Sequence, residues 1–189
     1  MERWLGWGRS AGLALLLSIA GAGGVRAAEQ PFVVVDTHRL TLTVRSPHDR
    51  IIARFDNVAI GSGGVSDLHL RGDDTTPRGR FRVAWIDRHS RFGLFFGLDY
   101  PTPAIARRAY LDGRLDRSGL DAIVNAFRRD RLPPQDTVLG GDIGIHGLGS
   151  GSPLVQQLVN WTDGCIALTN AQVWRLARWV HVGTVVIVR

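Results

Sequence analysis

The sequence carries one cysteine, Cys165, in a stretch that also holds His146: Gly144 to Asn170, GIHGLGSGSPLVQQLVNWTDGCIALTN. A thiol and an imidazole that are apart in sequence but joined by the fold make the minimal pair for thiol nucleophilic catalysis. The imidazole takes the thiol proton, and the thiolate attacks a carbonyl. Gly164, directly before Cys165, lets the backbone approach a substrate closely. Successive amides around such a glycine can converge on one point and stabilise an oxyanion. The opposing reading is that a lone cysteine is a small buried hydrophobe. Asp163 also works against a thiolate, because a neighbouring carboxylate raises a thiol pKa. Asp142 and His146 suggest a metal pair, but no third ligand follows at convincing spacing, so no metal is expected and no cofactor is implied.

The N-terminus bears on how Cys165 is read. Arg3 and Arg9 give a positive start, Ala11 to Ala22 is an apolar run, and Val25-Arg26-Ala27 places small residues where a signal peptidase reads. Residues 1–27 are expected to be a signal peptide, with cleavage after Ala27. The apolar run is short for a spanning helix, and a retained anchor is the alternative. Exported cysteines usually pair. Cys165 has no partner in the chain, which leaves an intermolecular bridge or a reactive thiol. With the adjacent glycine and His146, the reactive role is the expectation.

The remaining 28–189 fit one domain with a sizeable core. The net charge is +6 and no lysine occurs among the 23 basic residues. Arginine is spread without runs, and no basic motif interleaved with aromatics points to nucleic acid.

The pattern along the chain is mostly strand. Phe32 to Asp36 is an apolar run, Leu40 to Val44 alternates with period two, and Ile51 to Ile60 is a third strand ending at a Gly-Ser-Gly-Gly loop. Arg71 to Phe81 is a turn rich in Gly, Asp, Thr and Pro, leading into a strand over Phe81 to Ile86. Phe92 to Phe96 is a further strand, and Asp142 to His146 a short one. Helical spacing marks Leu120 to Phe127 within a mixed stretch, Leu111 to Asp136, that is expected to form a lid or a flank of the site. Pro153 opens a short helix over Leu154 to Asn160. Thr169 with Gln172 forms a capping box for a last helix through Val180, followed by a strand from Thr184 to Val188. His38, His48, His69 and His181 read as surface or structural. Trp161 reads as a core anchor, with a substrate-facing ring as the other option. Tyr100 is open between packing and substrate contact.

The stretch resembles the L,D-transpeptidase catalytic (YkuD-type) domain, whose signature is His-Gly, a spacer, then Ser/Thr-His-Gly-Cys and an apolar residue. The matching positions are His146-Gly147 and Thr162-Asp163-Gly164-Cys165-Ile166. The Thr76-Pro77-Arg78-Gly79-Arg80-Phe81 run is similar to a second element of the same family. Asp163 stands where many members have histidine, and Ala167 where many have arginine. The resemblance implies a β-rich α+β fold, a mixed β-sandwich with a few short helices. It implies Cys165 as nucleophile, His146 as general base and then acid, the Gly147 carbonyl orienting the imidazole, and amides at Gly164 and Cys165 as the oxyanion hole. Thr162, Asp163 and Tyr100 are the candidate substrate contacts. The implied chemistry is acyl transfer on peptidoglycan stem peptides in the periplasm. A second stem peptide or a lysine of an outer-membrane lipoprotein would be acceptor, and carbapenems the inhibitors. Water as acceptor would make it a hydrolase. A non-catalytic wall-binding module is the reading from another class.

Overall fold

The computed structural model describes residues 30–189, so the expected signal peptide lies outside the described residues. The described chain runs β1 (Phe32–Asp36), β2 (Thr41–Arg45), β3 (Ile51–Phe55), β4 (Val65–Ser66), β5 (Thr76–Pro77), β6 (Gly79–Ser90) and β7 (Gly93–Leu98). Helices α1 (Pro103–Leu111) and α2 (Arg117–Arg128) follow. Then come β8 (Gly144–His146), α3 (Pro153–Leu158), β9 (Ile166–Ala167), α4 (Asn170–Leu176) and β10 (Val185–Val188).

One mixed sheet has the order β3-β2-β1-β10-β6-β7-β8-β9, and β4 and β5 form a small separate pair. The buried, β-branched run of β1 suits a strand flanked on both sides. It pairs antiparallel with β2, Val34 facing Thr43, and parallel with β10, Val34 facing Ile187. The long β6 pairs with β10 over Gly79 to Arg82 and with β7 from Val83 onward, and its register shifts between Val83 and Trp85. Such an irregularity bends and twists a strand. The sheet therefore wraps over its core of Leu42, Phe55, Phe81, Leu94, Phe96, Ile145, Ile166 and Val186.

The predicted strand Ile51 to Ile60 stops at Phe55. Beyond it the chain leaves β2 and crosses to the far edge of the sheet, where Ala59 and Ala167 exchange both backbone hydrogen bonds at 3.0 and 2.8 Å. This contact joins the segment after one edge strand to the opposite edge strand. Alternation alone could not show it, because the same residues satisfy either partner.

Helices α1 and α2 pack on each other, with Thr102 and Asp116 as their N-caps. The possible lid over Leu120 to Phe127 is α2, and no α2 residue lines the cavity that holds Cys165. Its apolar stripe, including the buried Ile123, faces the core instead. The last helix has its predicted capping box, with Thr169 and Gln172 bonding each other's backbone.

Candidate active site

Two short parallel strands place His146 and Cys165. Parallel neighbours cannot be joined by a hairpin and need a crossover of a dozen or more residues. The chain from Gly147 to Gly164, which includes α3, is that crossover, and it accounts for the spacer in the sequence. In the ladder Ile145 pairs with Ile166 and His146 with Ala167. Side chains alternate faces with period two. Ile145 and Ile166 point together into the core, fully buried. Continuing the pleat back one residue puts Cys165 on the same face as His146. Opposite Cys165 on that face is Gly144, where a side chain would collide with the Phe95 ring.

His146 and Cys165 line one cavity of about 320 Å³, together with Arg91, Phe92, Asp142 and Trp161. His146 Nδ1 lies 2.7 Å from the Gly147 carbonyl oxygen. A carbonyl only accepts, so Nδ1 carries the hydrogen and Nε2 keeps its lone pair. The Phe92 ring stacks on the imidazole with centroids 4.0 Å apart, and Trp161 meets it edge-on at 5.8 Å. Burial holds the His146 pKa below its ordinary value. The Gly147 bond opposes this, and the positive charge of Arg91 adds to it. The imidazole is neutral at pH 7 and able to take a proton.

The Cys165 thiol is half-buried and donates to the Asp142 carbonyl at 3.3 Å. Desolvation pushes its pKa up to about 12; the Gly144 amide pulls it down, and the Asp163 and Asp142 carboxylates push it further up. At rest the cavity therefore holds a neutral thiol, its proton directed at the Asp142 carbonyl, and a neutral imidazole, not a preformed ion pair. Asp142 has a left-handed backbone, φ 53°, and its amide is fixed by Gln135 Oε1 at 2.8 Å.

The segment before the thiol departs from several expectations. Thr162 does not face the cavity through its hydroxyl. It is buried, donates to the Cys165 carbonyl at 2.6 Å, and accepts from the Gly164 amide at 3.3 Å. It braces the turn, and it occupies the amide that Gly164 was expected to offer an oxyanion. The Cys165 amide has no acceptor among the described residues. Tyr100 is fully buried and its hydroxyl donates to the Leu139 and His69 carbonyls at 2.9 and 3.1 Å, so it contacts no substrate. Asp163 is exposed and lines the cavity.

Among the residues around the site, Asn170 and Arg91 had no reading in the sequence. Asn170 clamps the loop after His146, accepting from the Leu148 and Gly149 amides at 2.8 and 3.0 Å and donating to the Gly149 carbonyl at 2.8 Å. Its place at the end of the Cys165 motif was the available signal. Trp161 faces the cavity instead of the core, held by Gln156 Oε1 at 2.9 Å. His69 is buried and structural. Its Nδ1 donates to the Thr75 carbonyl at 2.7 Å and lies 2.9 Å from Asp73, in the wall behind Gly164. Arg91 and Phe92 come from the β6–β7 turn; the strand expected from Phe92 begins one residue later, at Gly93. Among the described residues no group of His, Cys, Asp or Glu is arranged to hold a metal ion, and no helix is long and apolar enough to cross a membrane.

The fold is shared with solved structures. Helical cell shape determining protein Pgp2 from Campylobacter jejuni superposes with a TM-score of 0.58 at 20% identity, covering 85% of this chain and 47% of that one. Bd1075 from Bdellovibrio bacteriovorus gives 0.55 at 17% identity, covering 88% and 50%. The chain thus spans about half the length of each. No curated protein matches it in sequence. The family model for the L,D-transpeptidase catalytic domain matches residues 30–188, nearly all of the described chain, and the protein belongs to that family.

Proposed function

We propose that the protein is an exported L,D-transpeptidase of the periplasm that works on peptidoglycan stem peptides through a Cys165 thioester. The observation that carries this reading is the shared face of Cys165 and His146 in one cavity, with His146 Nδ1 tied to Gly147. Because both groups rest neutral, His146 Nε2 removes the thiol proton as the sulfur attacks, in general-base fashion. The attacked carbonyl is that of the diaminopimelate residue. The free Cys165 amide supports the oxyanion, with no contribution from the Gly164 amide. Collapse forms the thioester and expels the following D-amino acid, whose amine receives the proton from His146. An incoming amine then gives its proton to His146 and displaces the sulfur, which regains a proton from the imidazole.

Water in place of the amine makes the same site a carboxypeptidase. The acceptor, whether another stem peptide or a lipoprotein lysine, is chosen at this second step. Incubation with a disaccharide tetrapeptide, with and without an amine acceptor, separates the outcomes by mass spectrometry. Cross-linked or exchanged product marks transfer and tripeptide marks hydrolysis. No acyl-enzyme on Cys165 and no product would overturn the enzyme reading and leave a wall-binding module.

A further inference from the structure

The cavity contains one cation, Arg91, besides the carboxylates of Asp142 and Asp163. Arg91 sits in the turn between β6 and β7. Its guanidinium lies over the Phe92 ring, 4.7 Å from the centroid, and that ring stacks in turn on His146. Its charge reaches the imidazole, and among the described residues no carboxylate pairs with it. The backbone that carries it is fixed. Gly149 packs so close that a side chain there would collide with the Arg91 carbonyl, and the Phe92 amide bonds Ser90 Oγ at 3.2 Å.

This placement has a chemical consequence, which rests on the transpeptidase reading. In both half-reactions a nitrogen exchanges a proton with His146 at the same position. In the first it belongs to the departing D-amino acid, and in the second to the acceptor. A departing D-amino acid bears its α-carboxylate on the carbon next to that nitrogen. The D-centre of a second diaminopimelate, as acceptor, does the same. A lysine side chain does not. A guanidinium lining the same cavity as His146, one aromatic ring away from it, is a suitable partner for such a carboxylate, since its planar fork donates to it in a charge-assisted contact.

We propose that Arg91 is the carboxylate-recognition residue of this site. It selects leaving groups and acceptors that carry amine and carboxylate on one carbon, and it disfavours the side-chain amine of a protein lysine.

The test pairs two acceptors that differ only in this charge, D-methionine and D-methioninamide, at equal concentration with a disaccharide tetrapeptide donor. Intact mass reads the Cys165 thioester, and mass spectrometry reads the product ratio. The wild-type protein is expected to favour the carboxylate acceptor although the amine of the amide is less basic and therefore more of it is unprotonated and ready to attack at neutral pH. Arg91→Ala is expected to lower that ratio roughly ten- to a hundredfold, the range for a hydrogen bond to a charged group. Arg91→Lys should retain part of it. Arg88→Ala, in β6 just before that turn but over Trp174 outside the cavity, should keep the wild-type ratio. Equal use of the two acceptors by the wild type, or an unchanged ratio in both Arg91 variants, overturns the proposal while a thioester on Cys165 leaves transpeptidation standing. A wild-type protein that forms no thioester overturns the underlying reading, and this one falls with it.

Discussion

At the scale of single residues, Asp163 is the side chain whose chemistry opposes the proposed reaction most directly. Its carboxylate, with that of Asp142, adds to the desolvation that keeps the Cys165 thiol protonated. Asp163→Asn removes one negative charge, so the thiol pKa should fall and the thiolate fraction at fixed pH should rise. Alkylation by iodoacetamide, followed by intact mass from pH 7 to 10, is expected to run several-fold faster in the variant. An unchanged rate across that range would show that the carboxylate does not reach the sulfur. His146 gives a second pH signature. Its lowered pKa places the acid limb of the rate profile below the ordinary histidine value of 6.5. Arg91→Ala should move that limb upward, because one of the two influences holding the imidazole neutral is gone. The meeting of Cys165 and His146 in one cavity was legible in the sequence because few residue types can do the proposed chemistry. Thr162 and Tyr100 were not, since whether a hydroxyl faces a cavity or a backbone carbonyl depends on packing from distant segments.

At the scale of elements, the site depends on two loops that flank the β8–β9 pair. Gly164 has φ +123°, and a Cβ there would lie 2.8 Å from the Thr75 carbonyl and 3.0 Å from Ile143. Gly164→Ala combines backbone strain with a collision against main chain, each worth about 1–3 kcal/mol. The variant should melt several degrees lower and form no thioester under conditions where the wild type does. Full activity with an unchanged melting temperature would mean the loop is free to move. The opposite loop hangs on Asn170, whose side chain makes three bonds to Leu148 and Gly149. Asn170→Ala should cost about 1–3 kcal/mol in chemical denaturation and lower kcat, since the Gly147 carbonyl that orients His146 is in the same loop. A variant that loses stability with kcat intact would confine Asn170 to the fold. The strands around the site were readable from alternation, down to the short one carrying His146. The path after β3 was not, because a bridge between Ala59 and Ala167 joins residues far apart in sequence with no side-chain pattern to announce it. The stretch Leu120 to Phe127 was readable as a helix, but its periodicity does not say which surface it covers.

At the scale of the whole molecule, the site couples its chemistry to folding stability. Burial shifts the pKa of both His146 and Cys165 so that each neutral form persists over a wider pH range than in the unfolded chain. For His146 the folded pKa is below the ordinary 6.5. Above 6.5 both states are unprotonated and its contribution is full. As pH falls below 6.5 the unfolded chain binds the proton first, so stability declines until the folded pKa is passed. For Cys165 the folded pKa is raised from 9.0 to about 12. Below 9 both states keep the proton. Above 9 the unfolded chain loses it first, so stability declines as pH rises toward 12. The active site alone therefore produces a plateau between about pH 6.5 and 9, with a loss on either side. Because Cys165 is the chain's one cysteine, no other thiol contributes to the alkaline arm. Urea denaturation at pH 8 and pH 11 is expected to show a Cys165 contribution to the wild-type loss on the order of 2 kcal/mol, which Cys165→Ala removes while leaving the smaller loss from the Tyr100 phenol, whose pKa burial also raises. Alanine shifts the baseline by changing packing, so the informative quantity is the difference between the two pH values within each protein. Parallel declines in wild type and variant would mean that the sulfur is already solvated in the folded state, which would weaken the case for a thiol that ionises only as it attacks.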